Sequence, residues 1–337
     1  MNRGEGGVCV VGSVSRDVTV AVRRFPAPGE TVVGSSVSYG LGGKGANQAV
    51  AAALTGTPTT FLGCVGDDSA GSSLQASLAE HGVGISRLAR IPGMDSGSAH
   101  ITVDAAGENS ISIVPAANLS LGREMVAAAA AAGFDGARVV VAQGEIPVET
   151  IEATVRAVGR CRRVRMVLNL APAAEVSGRA LGAVDVLVVN ESEAAAVLAR
   201  HAGGTEAGGP VAGGDGSAAA QARALTAIAP AVVVTLGARG SLAAVREAEE
   251  VLEIPATPVA EVLDTTGAGD AFVGVLCAAL ARRLDEAEDP GDEPLGCELL
   301  GACARIAGRE VGRVVGRRGA SSSYTSFSLE EAGDSAG

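Results

Sequence analysis

Tryptophan is absent from the 337-residue chain, and only two tyrosines and five phenylalanines occur. A core without large rings must be closed by small and branched side chains, and alanine and valine dominate the 47% apolar content. Lysine is scarcer still: Lys44 is the only one among 26 basic residues, the other 25 being arginines. Basic residues are outnumbered by 38 Asp and Glu, leaving a net charge of −12. No basic patch interleaved with aromatics occurs, which excludes nucleic acid and an anionic membrane as partners. No unbroken apolar run approaches the ~18 residues of a membrane span, and the polar start "MNRGEGG" leads into a run too short for a signal peptide. A cytoplasmic location is the expectation. The six cysteines (9, 64, 161, 277, 297, 303) form no C-x-x-C pair and read as buried thiols. His81, His100 and His201 are too far apart for a metal-binding spacing.

What is present is an alternation. Near-continuous apolar runs at 8–13, 59–66, 137–143, 164–172, 184–191 and 230–237 read as buried strands. Between them lie alanine-rich helical stretches, several ending at glycine. Buried strands alternating with helices predict an α/β fold, a mostly parallel sheet with helices on both faces. Residues 16–40 and 97–115 instead alternate apolar with polar around turns at "APGE" and "AAGEN", predicting a small sheet that stands off the body as a lid. The glycine-rich stretch 202–219 reads as a surface insertion, and 331–337 as a frayed tail, on a single domain of 1–330.

Two glycine motifs carry the chemistry. "GLGGKGANQA" (40–49) contains G-x-G-x-x-G, yet a P-loop fails because Ser38 stands at its first glycine and Gly45 follows the lysine. A dinucleotide site fits poorly, since the preceding "SSVSYG" is not a buried parallel strand. Glycines that admit a ligand, followed by a helix start bearing Lys44 and Asn47 a turn apart, suit a polyhydroxy compound. A solvated lysine at a plain helix start is the bland alternative. The choice of the one lysine favours a compact ammonium over a planar fork. "DTTGAGDAF" (264–272) places Gly267, Ala268 and Gly269 before a helix, whose first N–H groups make an anion cradle, with Asp270 beside it as a candidate base.

These two motifs together resemble the signatures of the ribokinase family, also called the phosphofructokinase B family of carbohydrate kinases. "VVGSVSRDVTV", "FPAPGETV", "GCVGDDSAGSSL", "QGEIP", "NLAPA", "NESEA", "TLGARGS" and "GASSSY" follow in family order over nearly the whole chain. The resemblance implies a three-layer α/β/α fold with a β lid, ATP-dependent phosphorylation of a sugar at its terminal hydroxyl (the 5-hydroxyl of D-ribose), and a homodimer formed through the lid. It implies sugar contacts from Asp17, Gly43, Lys44, Asn47 and Glu145, with Ser15 standing where relatives usually carry asparagine. Asp270 is then the base, and Gly267, Ala268 and Gly269 the anion hole. Asn190, Thr235, Gly237 and Gly269 fall to ATP, Asn190 and Glu193 to magnesium through water, and Asp264, Thr266, Gly319 and Ser323 to a potassium ion. The alternatives are another sugar kinase of the family (for deoxyribose, fructose or a related sugar), a nucleoside kinase, for which the lid offers only Phe25 and Tyr39 as base-stacking rings, or a non-catalytic sugar-binding relative.

Overall fold

Valine runs buried on both sides build the central sheet of the computed structural model, which describes residues 6–201, 217–287, 294–317 and 319–330. The chain enters the sheet along β1 (Gly7–Val11), then leaves it for β2 (Ser15–Ala21) and β3 (Ser36–Gly42). It returns through α1 (Lys44–Ala53), β4 (Thr59–Gly66), α2 (Ser69–Glu80) and β5 (Gly84–Ile91). A second excursion makes β6 (Gly97–Val103) and β7 (Asn109–Val114). Then α3 (Arg123–Ala131), β8 (Ala137–Gln143), α4 (Val148–Val158), β9 (Arg165–Asn169), α5 (Gly178–Leu181) and β10 (Val186–Asn190) wind across the other half. The chain ends with α6 (Glu191–His201), α7 (Ala218–Leu225), β11 (Ala231–Thr235), β12 (Ser241–Val245), β13 (Leu252–Ile254), α8 (Ala268–Glu286) and α9 (Cys297–Val314).

Among the described residues the large sheet has nine strands in the order β13-β12-β11-β10-β9-β8-β1-β4-β5. All pairings from β11 to β5 are parallel, and only β12 and β13 run antiparallel at one edge. The pleat divides β1 between two cores: Val8 and Val10 join a cluster with α1, α8 and α9, while Cys9 and Val11 join one with α3, α4 and α7. That two-sided burial is why the strands read as unbroken apolar runs, and it makes the three-layer α/β/α arrangement expected from the sequence. All six cysteines are free thiols.

The two alternating segments form one small sheet in the order β3-β2-β6-β7. Direct partners on it share a face, so Asp17, Gly40, Ala99 and Ile113 lie together, with Val18, Tyr39 and His100 on the opposite face. The turn expected at "APGE" closes with the Glu30 N–H on the Ala27 carbonyl, 2.9 Å. Most of the 202–219 stretch and the 331–337 tail lie outside the described residues; Ser217 caps α7 by accepting the Ala220 N–H. The sequence reading had no counterpart for β5, β12, β13 or the long α9.

Candidate active site

Parallel strands deliver their C-terminal ends to one edge of the sheet, where α/β proteins bind ligands. Here a polar residue terminates four of the apolar runs, Gln143 on β8, Asn169 on β9, Asn190 on β10 and Thr235 on β11, with Ser13 just beyond β1. The two glycine motifs meet above this edge. α1 and α8 lie side by side, so Asn47 on α1 donates its Nδ2–H to Asp270 Oδ2 at 3.0 Å across 223 residues of sequence.

In the first motif three glycines are required by protein neighbours on their Cβ side. Gly43, at φ 89°, caps α1, and a Cβ there would lie 2.9 Å from the Ser13 carbonyl oxygen and the Val14 Cα. A Cβ on Gly45 would meet the Ser13 backbone at 2.6 Å, and one on Gly42 would collide with the Asp17 carboxylate. These glycines let segment 12–17 lie against the loop, so the room they create is filled by protein. Around them lies a network of polar side chains. Glu145 Oε2 accepts the Ser13 hydroxyl (2.6 Å) and the Lys44 backbone N–H (2.9 Å), tying the end of β1, the start of α1 and the exit of β8 together. Asn118 clamps both the N–H and the carbonyl of Val14 at 2.9 Å, fixing the strand that carries Ser15 and Asp17. Ser15 donates to Asp17 Oδ1 over a long 3.4 Å.

Charge is concentrated there. Burial raises the Asp17 carboxyl to about 6; Ser15 pulls against the shift, while Glu145 and Asp270 add to it. Burial likewise raises Asp270, opposed by the Lys44 ammonium and the Asn47 and Gln48 amides. Burial also pulls Lys44 down, but Asp270, Glu145 and Glu193 together outweigh it and hold the ammonium charged. A lysine surrounded by three carboxylates is the opposite of a solvated one.

The second motif begins at Gly267 (φ 76°), which starts α8 without a side-chain cap. The Ala268 N–H donates to the Thr265 carbonyl at 3.1 Å and is engaged in the turn. The cradle of first-turn N–H groups therefore shifts to Gly269 and Asp270, where the helix geometry supplies no internal acceptor. Beside it opens a cleft of about 890 Å³, lined by Asn190, Thr235, Gly237 and Gly269 and walled by Val259, Val262, Phe272, Val311 and Val315. A cleft of this size, mostly apolar with a few polar groups, suits a small-molecule ligand.

Asn190 and Glu193 form a capping box on α6: the Asn190 N–H donates to Glu193 Oε2 and the Glu193 N–H to Asn190 Oδ1, both 2.9 Å. Asn190 Oδ1 also accepts Ser192 Oγ at 2.8 Å, so both its lone pairs are in use. That fits a magnesium ion reached through water and not one bound directly by the amide. Asp264 links two loops, accepting the Thr266 N–H at 2.8 Å and the Gly319 N–H at 2.9 Å. Ser323 donates to the Ala320 carbonyl in the adjoining turn. The Asp264 carboxylate is a hard oxygen donor of the kind a monovalent cation takes; among the described residues no cluster of three His, Cys, Asp or Glu could hold a metal by side chains.

Three buried amides escaped the sequence reading. Gln48 Nε2 donates to Asn169 Oδ1 (2.9 Å) and to Asp270 Oδ1 (3.3 Å), and Gln143 Nε2 donates to Gln48 Oε1 (2.8 Å). For Gln143 and Asn169 the signal was available: a polar residue closing a buried apolar run marks the functional edge. Tyr324 left no such trace.

The profile of the pfkB family carbohydrate kinases matches residues 6–293. The chain is 32% identical over 328 residues to the ribokinase of Schizosaccharomyces pombe, covering 95% of each. Its fold is similar to that of Giardia lamblia ribokinase, with a TM-score of 0.82, 29% identity and 96% of both chains covered. It is also similar to Arabidopsis thaliana ribokinase complexed with ribose and ATP, at a TM-score of 0.75 and 27% identity over 95% of this chain and 96% of that one.

Proposed function

The chain belongs to the pfkB family of carbohydrate kinases, and on that premise we propose that it transfers the γ-phosphoryl group of ATP to the 5-hydroxyl of D-ribose. The observation that carries this reading is Asp270, 7% exposed, at the junction of the sugar-facing side chains of α1 and the N–H groups that open α8. A carboxylate there can take the proton of a hydroxyl as its oxygen attacks a phosphoryl group lying over the helix N-terminus. Asp17, Lys44, Asn47 and Glu145 orient the sugar. With Gly43 and Ser15 they form its wall. The ammonium of Lys44 offsets the charge of the carboxylates around it.

Nucleotide phosphates lie along Thr235, Gly237 and Gly269 in this reading, and the first-turn N–H groups of α8 receive charge as it builds on the transferring group. Gly267 sets the turn, and Ala268 carries it into the helix. Glu193 and Asn190 would hold magnesium through water, and Asp264, Thr266, Gly319 and Ser323 a potassium ion; these cations supply neutralisation of phosphate charge. The lid closes over the sugar and excludes water, which would otherwise compete as acceptor. A second copy of the chain covers the lid's apolar face as a homodimer, in a cytoplasmic protein; no helix among the described residues is long and apolar enough to cross a membrane.

Ser15 favours one further reading. Its short side chain leaves more room beside Asp17 than the asparagine of relatives, which suits a different pentose or related sugar. An ATP-consumption screen over ribose, deoxyribose, fructose and nucleosides decides between them; inactivity on ribose with turnover of another sugar would remove the ribose assignment alone. Asp270→Asn is expected to lower kcat at least 10³-fold while sugar affinity, read by calorimetry, stays within a few-fold. Near-normal turnover would rule Asp270 out as the base.

A further inference from the structure

Tyr324 is a buried titratable side chain that no step above uses. It is 8% exposed, and its hydroxyl donates to the Gly267 carbonyl at 2.6 Å. That carbonyl also accepts the Ala271 N–H at 2.8 Å, and the other end of the same peptide group, the Ala268 N–H, is held by Thr265. Gly267 is packed so closely beneath this contact that a Cβ would lie 2.8 Å from the Tyr324 hydroxyl and 2.9 Å from the Ala320 Cα. The left-handed turn that starts α8 is therefore pinned on every polar atom of one peptide plane. Without the phenol that peptide plane would rest on local backbone bonds alone.

The segment carrying Tyr324 is anchored to the sugar half of the site. Ser321 Oγ donates to the Leu41 carbonyl of β3 at 3.1 Å, and the Phe327 N–H donates to the Leu54 carbonyl just past α1 at 3.0 Å. Gly319 is bound to Asp264, and the Tyr324 and Phe327 rings pack 5.8 Å apart. One strap thus touches β3, the end of α1 and the turn before α8. Burial, with the nearby Asp270 charge, pushes the phenol well above its ordinary range, so it remains a donor wherever the enzyme is folded.

We propose that Tyr324 is a positioning residue that sets the anion-binding N–H groups of α8 in register with the sugar wall on α1. It touches neither substrate. Phosphoryl transfer depends on in-line placement of acceptor and donor, and a small misplacement of the cradle costs rate without costing ground-state affinity. The inference rests on the kinase reading, which the wild-type enzyme's turnover tests separately.

Tyr324→Phe removes only the hydroxyl. Its kcat should fall about tenfold, with KM for sugar and ATP within twofold. Affinity for ADP with aluminium fluoride and sugar, a mimic of the transferring phosphoryl group, should fall in parallel, with ADP affinity alone unchanged. Amide hydrogen exchange across residues 265–272 should accelerate several-fold, a readout independent of turnover. Phe327→Leu, which keeps the hydroxyl but loosens the strap, should lower Tm with kcat retained. Unchanged exchange and kcat in Tyr324→Phe would overturn the proposal, as would an equal kcat loss in Phe327→Leu, which would assign the effect to packing.

Discussion

Asp17 illustrates what a binding site costs its own fold. Its carboxyl, ordinarily near 3.8, is raised to about 6 chiefly by burial, so the folded chain holds a proton there that the unfolded chain releases earlier. A group raised on folding favours the native state below its unfolded value, and that contribution disappears as pH rises through the folded value. Above about pH 6 the site carries a charged, poorly solvated carboxylate, which in the proposed function accepts sugar hydroxyls. Asp17→Asn should therefore raise stability at pH 8 by about 1–2 kcal/mol, with the gain vanishing near pH 4. It should also raise the sugar KM at least tenfold while leaving the ATP KM alone. Calorimetric melting at the two pH values checks the first part and steady-state kinetics the second; a variant less stable at pH 8 would refute the burial argument. Residues of this kind are only partly legible in a sequence. Asp17, Lys44 and Asp270 stood out through their motifs, but that the glycines around Lys44 also accommodate Ser13, Val14 and Asp17 was not legible.

At the scale of elements, the site depends on how closely α1 and α8 approach. Gly274 makes that approach: a Cβ there would lie 2.5 Å from the Gln48 carbonyl oxygen and 2.6 Å from the Ala51 Cβ. Both helices carry half of the reacting constellation, Lys44 and Asn47 on one and Asp270 on the other. Gly274→Ala should force them apart, costing about 1–3 kcal/mol of stability and lowering kcat more than the KM of either substrate. Retained kcat in a destabilised variant would mean the helix spacing is not what aligns the base. The strands before these helices were readable because they are buried on both faces, and the lid because its strands alternate. By contrast α9 was not, since Gly301, Gly308 and Gly312 break its pattern. The reason is tertiary: a Cβ on Gly301 would meet Leu252 of β13 at 2.2 Å. Short β12 and β13 pair antiparallel at the sheet edge, where no crossover helix announces them. That the Ala268 N–H is already engaged could not be read either, because the Thr265 carbonyl that occupies it belongs to turn geometry and not to residue type.

For the molecule as a whole, the lid poses a question of assembly. β7 is exposed along its length, and Ile111 and Ile113 are 51% and 59% exposed on the face that also carries Asp17. Ile113 pairs with Ala99, which pairs with Asp17, so this apolar row runs up to the carboxylate proposed to contact the sugar. A chain of net charge −12 gains little from bringing two acidic surfaces together unless apolar area is buried at the contact. Each isoleucine can contribute up to about 1.5–3 kcal/mol on full burial, and a second lid laid over the first would bury four. Replacing both isoleucines by aspartate would exchange that gain for like charges held face to face. The double variant is therefore expected to be monomeric by light scattering at concentrations where the wild type is dimeric. Its sugar KM should rise, because the row borders Asp17, while binding of ADP, assigned in the proposed function to the cleft beside Gly269, stays as in the wild type. A wild type that is itself monomeric would remove the lid dimer, and a double variant that still dimerises would move the interface to another surface.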